Sequence, residues 1–119
     1  MNTPPEKVYK SFQEFWPFYL SEHANKKNRR LHFMGTMIVF IILISAIATA
    51  YWTLLWIIPF AGYGFAWVGH FIVEKNRPAT FKHPLWSLIG DFKMFFMTLA
   101  GRLPRELEKY AIQDHANIK

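Results

Sequence analysis

The 119-residue chain contains no cysteine. A disulfide framework and thiolate metal sites are therefore excluded, and any metal must be held by imidazole and carboxylate, a donor set that suits iron, zinc or copper. Acidic residues are few: eight Asp and Glu stand against fourteen Lys and Arg, a formal charge of +6. In a soluble protein such an excess would point to nucleic acid. Here the cations flank long apolar runs, so anionic lipid headgroups and membrane topology account for them instead. An early apolar segment is also missing. The first twenty residues are aromatic and mixed in charge, so no secretory signal peptide is expected there. Internal repeats and low-complexity tracts are likewise not seen.

What is present is apolar. Hydrophobic residues make up 52% and aromatics 18%, with 12 Phe, yet the mean hydropathy is only +0.06. Polar residues are segregated into the ends and one loop, the pattern of a single membrane domain over residues 1–119 with wet ends. The expected fold is all-α: an integral membrane helical bundle built on an antiparallel two-helix transmembrane hairpin, with amphipathic flanking helices.

Val8, Phe12, Phe15, Trp16 and Tyr19 recur at helical spacing, with Lys7, Lys10 and Glu14 opposite. Residues 6–20 are thus expected to form an amphipathic helix lying on the membrane surface, bent or ended by Pro17. A polar connector, SEHANKKNRR, follows, in which Asn25 or Asn28 can cap the next helix. Residues 31–51 then carry no charge and, at about 1.5 Å per residue, span roughly 30 Å, the thickness of the hydrocarbon core. A short turn rich in interfacial aromatics leads into a second uncharged run, 54–73. So short a turn makes the two spans antiparallel neighbours. Lys26, Lys27, Arg29 and Arg30 precede the first span, and Lys75, Arg77 and Lys82 follow the second, while the turn has no Lys or Arg. Both termini are therefore expected in the cytoplasm, as in a bacterial inner-membrane protein. Residues 84–103 form either an interfacial or re-entrant helix or a third span, and 104–119 a charged terminal helix and tail.

The residues that carry chemistry are histidines. There are five: His23, His32, His70, His83 and His115. His32 lies twenty residues before Trp52, the centre of the turn, and His70 eighteen after it. On antiparallel helices that places them within roughly 3 Å in depth, at the cytoplasmic edge of the hydrocarbon. His23 and His83 lie in connectors that can fold over the same spot. Glu74 follows His70 by four residues on the same helix face, and either binds the same metal or orients the imidazole. Ionisable groups at membrane depth point to function. The metal candidates are thus His23, His32, His70, His83 and Glu74; His115, in a polar tail, has no assigned role. Arg29, Arg30 and Arg77 are topology signals that can also pair with an anionic headgroup or substrate carboxylate. Asp91 is either a solvated residue or a hydrogen-bond partner behind the site. The residues alone also admit a haem held between His32 and His70, a zinc hydrolase, and a non-enzymatic membrane scaffold.

The stretches FWPFYLSEHANKKNRRLHFMGT, AWVGHFIVEKNRPATF and HPLWSLIGDFKM resemble the small membrane family of 2-hydroxy fatty acid dioxygenases, over roughly residues 15–94. Eukaryotic members act in the endoplasmic reticulum in breakdown of the phytosphingosine base. The resemblance implies Fe(II)-dependent alpha-oxidation, with the histidine pattern falling on His23, His32 and His70, and the Glu of the last motif on Glu74. The implied substrates are a 2-hydroxy fatty acid, whose carboxylate and hydroxyl can chelate one iron, and molecular oxygen. The acyl chain is expected to run between the helices past Phe33 and Phe71. Membrane lipid is the expected surroundings, and a homodimer is compatible with so small a unit.

Overall fold

Ser11 starts the first helix, α1 (Phe12–Ser21), by accepting a hydrogen bond from the Glu14 backbone N–H, while the Glu14 carboxylate reaches back to the N–H of Lys10. Two donors that a helix start leaves open are satisfied in this way. The structure, a computed structural model, describes residues 9–113; residues 6–8 of the expected first helix and His115 lie outside them. Pro17 sits inside α1 without ending it.

The aromatic stripe of α1 faces protein, not lipid. Phe15, Trp16, Tyr19 and Leu20 are among the most completely buried side chains. They pack with Met94 of α4 (Pro84–Leu99) and Leu103 of α5 (Leu103–Lys109). Polar partners reach the same stripe: the Trp16 indole N–H donates to Glu106 over 3.3 Å, and the Lys93 ammonium lies 4.5 Å from the Trp16 ring. Acyl chains offer neither contact. The expectation of a surface-lying helix is corrected accordingly: α1 is the centre of the core.

Asn25 caps α2 (Lys26–Thr49) by accepting from the Lys27 N–H at 2.8 Å. With that cap the basic turn joins the helix, which starts five residues before the uncharged run. A left-handed Ala50 (φ 56°) stops it. A 3₁₀ turn (Trp52–Trp56) enters α3 (Ile57–Trp67), whose end widens into a π-helical segment, Val68–Glu74. Gly35 lies against Phe65, Val39 against Gly62 and Asn28 against Gly69. As one partner moves back along α2 the other advances through α3 and its π-helical end, so the two run antiparallel.

Lys26–Thr49 and Trp52–Glu74 are long and apolar enough to cross a membrane, and few of their residues are buried. Ile44, Ile47, Trp56 and Phe60 are each more than 60% exposed. So much outward apolar surface fits association with a membrane and is unlike the mostly buried core helix of a soluble domain. The apolar run 84–103 is divided: α4 ends at Leu99, Gly101 takes φ 71°, and α5 restarts at Leu103. Sixteen residues of α4 reach about 24 Å, short of the hydrocarbon thickness. α4 instead lies beside α1 and α2, with Leu85, Leu88 and Phe96 facing outward.

Candidate metal centre

Three histidines from three segments meet where α1, α2 and the π-helical segment converge. His23 sits just after α1, His32 two turns into α2, and His70 within the π-helix. All three are buried. The His23 Nε2 lies 3.1 Å from the His32 Nε2 and 3.0 Å from the His70 Nε2. One ligand atom from each falls within 4.8 Å of the others.

The opposite ring nitrogens fix the tautomers. The His23 Nδ1 is 2.6 Å from the Tyr19 carbonyl, and the His32 Nδ1 is 3.0 Å from the Asn28 carbonyl. A carbonyl only accepts, so both Nδ1 atoms carry hydrogen. The His70 Nδ1 is 2.8 Å from the Asn76 Oδ1. The amide of Asn76 cannot be reversed, because its Nδ2 donates to the Glu22 carbonyl and carboxylate, each at 3.1 Å. Each neutral ring therefore points an Nε2 lone pair at the same place. Three lone pairs at this spacing repel unless a cation lies between them. Burial, then the neighbouring histidines, push the His23 pKa well below its usual value, which favours the neutral form. A metal bound at Nε2 with Nδ1 held by an oxygen acceptor is the usual arrangement of a histidine ligand. Two nitrogens about 2.1 Å from one ion stand about 3.0 Å apart at a right angle, so both spacings from His23 fit ligands of a single ion.

The structure does not bring Glu74 and His83 into this cluster. The Glu74 carboxylate accepts from the backbone N–H of Asn25, the cap residue of α2, and from the Asn28 amide at 3.4 Å. It is held at the positive end of a helix, an anion's favoured position. His83 stacks on Trp86 with ring centroids 5.7 Å apart and leans on Phe15, next to the aromatic core. Nor do the three arginines reach the histidines' cavity. The Arg29 guanidinium donates to the carbonyls of His23 and Ala24, at 2.9 and 2.7 Å, and so braces the connector. Arg30 lines a separate cleft with Lys26 and Arg29, and Arg77 lies 5.4 Å from the Phe81 ring.

A cavity of about 350 Å³ opens from the three imidazoles and runs between α2 and α3 past Thr36, Val39, Gly62 and Ile58. Phe33 and Phe71 do not line it. Phe33 stacks on Phe95 at 4.8 Å, and Phe71 is exposed. On the α4 side, Ser87 and Asp91 join Leu88 and Phe92 in the lining, beside Tyr19. Tyr19 stacks on His23 at 4.0 Å and its hydroxyl donates to Asp91. Burial and the neighbouring Asp91 hold the Tyr19 phenol well above its ordinary pKa, and burial pushes the Asp91 carboxyl up to about 7. No pattern in the sequence marks Asn28, Asn76 or Tyr19 as part of this site; for Ser87 the i, i+4 pairing with Asp91 on an apolar helix is a signal.

Taken together, these features define a class: a helical protein with two membrane-length helices and three buried histidines, able to hold a metal ion, at the head of an apolar cavity. A haem clamped between His32 and His70 does not fit, because the His23 Nε2 occupies the space its plane would need. The family model described as "2-hydroxy-palmitic acid dioxygenase Mpo1-like" matches residues 9–103, and the chain belongs to that family. No curated protein and no solved structure matches it.

Proposed function

We propose that the protein is an Fe(II)-dependent dioxygenase that carries out alpha-oxidation of 2-hydroxy fatty acids, giving acids one carbon shorter. The observation that carries this is the convergence of three Nδ1-anchored imidazoles at the head of an apolar cavity. Family membership supports the substrate class. In the overall reaction one oxygen molecule and one 2-hydroxy acid give carbon dioxide, water and the shortened acid; the bond between the first two carbons breaks, and the second carbon is oxidised to the new carboxyl. Atoms and electrons balance without a separate reductant.

His23, His32 and His70 would hold the iron. When bound, it supplies open positions for the substrate's carboxylate and hydroxyl and for oxygen. The protein's own part is orientation. Tyr19, Asn28 and Asn76 hold the imidazoles in one tautomer, and the apolar walls take the acyl chain. From His70 to Ile58 is twelve residues, about 18 Å of helix. A long chain can lie along that length while its polar head stays at the histidines, and the walls keep water from it.

Purified protein supplied with Fe(II), oxygen and 2-hydroxypalmitate is expected to yield pentadecanoate and carbon dioxide, with about one iron per chain. His32→Ala and His70→Ala should each lose the iron and the product. Iron-loaded protein that leaves 2-hydroxypalmitate unchanged would overturn the assignment.

A further inference from the structure

Three polar side chains beside the histidines have no part in holding a metal. Ser87 is 5% exposed, and its hydroxyl has no hydrogen-bond partner among the described residues. A buried hydroxyl left in this way costs about 1–3 kcal/mol, so its position calls for a partner from outside the chain. Asp91 lies one turn further along α4, on the same face. Both line the cavity that the three imidazoles head.

Asp91 is held from one side only. The Tyr19 hydroxyl donates to its Oδ1, and Oδ2 has no partner among the described residues. Tyr19 is in turn fixed twice: its ring stacks on His23, and it lies so close on Gly90 that an added Cβ there would come within 2.8 Å. Asp91 thus leaves one carboxyl oxygen without a protein partner in the cavity wall, and the buried Ser87 hydroxyl lies one helical turn away on the same face of α4.

We infer that Ser87 and Asp91 form a head-group subsite that reads the 2-hydroxyl of the substrate, and so select 2-hydroxy acids over plain fatty acids. Resting on the substrate class proposed above, the subsite adds what three imidazoles cannot supply. A metal held by histidines already favours a hydroxy acid that can chelate it, and hydrogen bonds from the protein wall add to that preference. A wall built to hydrogen-bond a hydroxyl rejects the acid lacking it, because its own polar groups are then left unpaired. Asp91 Oδ2 faces the hydroxyl, and the Ser87 hydroxyl completes the contact.

The test compares binding of 2-hydroxypalmitate and palmitate to the full-length, iron-loaded protein without oxygen. The parent protein should bind the hydroxy acid at least about tenfold more tightly. Ser87→Ala and Asp91→Asn should each cut that preference by at least about threefold, with iron content and palmitate binding unchanged. Should Asp91→Asn lose helical content, Ser87→Ala decides alone, since its hydroxyl holds nothing in the fold. If the variants keep iron and keep the full preference, the subsite is wrong while turnover by the parent protein leaves the dioxygenase assignment standing. If the parent neither prefers nor converts the hydroxy acid, the substrate class fails and the subsite fails with it.

Discussion

Asn76 touches no metal position, yet it decides which nitrogen of His70 faces the cavity. Its amide oxygen takes the Nδ1 hydrogen, and its amide nitrogen is held by Glu22. Replacing it with Ala frees the ring to rotate and to change tautomer. Losing an outer partner of this kind typically costs 10–100-fold in metal affinity. Asn76→Ala should therefore release iron to a chelator at about 10–100-fold lower chelator concentration, with the helical content unchanged; equal retention would show that His70 is positioned by packing alone. The sequence made His32 and His70 legible because depth along two antiparallel helices can be counted from their turn. It did not make the choice between His23 and His83 legible, since both lie in connectors whose path no periodicity records. Glu74 shares a face with His70, as counted, but α2 begins beside it and takes its carboxylate.

At the scale of elements, the two long helices were evident from the absence of charge over residues 31–51 and 54–73, a pattern that little else produces. The burial of α1 was not, because an aromatic stripe has the same period whether it meets lipid or protein. The π-helix left no sign either: seven residues of VGHFIVE are too few to separate its wider turn from an ordinary one. Its contact with α2 is tight. A Cβ on Gly69 would come 1.8 Å from the Asn28 Oδ1, whereas one on Gly64, earlier in the same helix, meets nothing within 4 Å. Gly69→Ala must displace the buried Asn28 amide from its contacts with Glu22 and Glu74 and should destabilise by about 1–3 kcal/mol, with iron lost alongside. Gly64→Ala removes backbone freedom from a helix without a clash and should stabilise by about 0.5–1 kcal/mol. Thermal unfolding of both variants in detergent compares them; similar midpoints would mean that the Asn28 contact is not tight in solution.

The whole molecule has one polar end and one apolar end. The histidines, the basic turn of α2 and the connector after Glu74 gather at the first, and the 3₁₀ turn Trp52–Trp56 lies at the far end of both long helices. Lys26, Lys27, Arg29 and Arg30 stand on one side of the antiparallel pair with Lys75 and Arg77, while the turn carries no cation. If the pair crosses the inner membrane, the positive-inside rule puts the metal centre at the cytoplasmic face, where a fatty acid can enter from the inner leaflet. The lack of cysteine makes the test direct, because any single introduced thiol is the sole reactive one. In intact cells a membrane-impermeant maleimide should label Thr53→Cys and spare Lys27→Cys and Lys75→Cys; after lysis all three should react. Labelling of Lys27→Cys and Lys75→Cys with Thr53→Cys protected would invert the orientation. Equal labelling of all three before lysis would place the pair outside the bilayer, and the exposed Ile44, Trp56 and Phe60 would then need a protein partner to cover them.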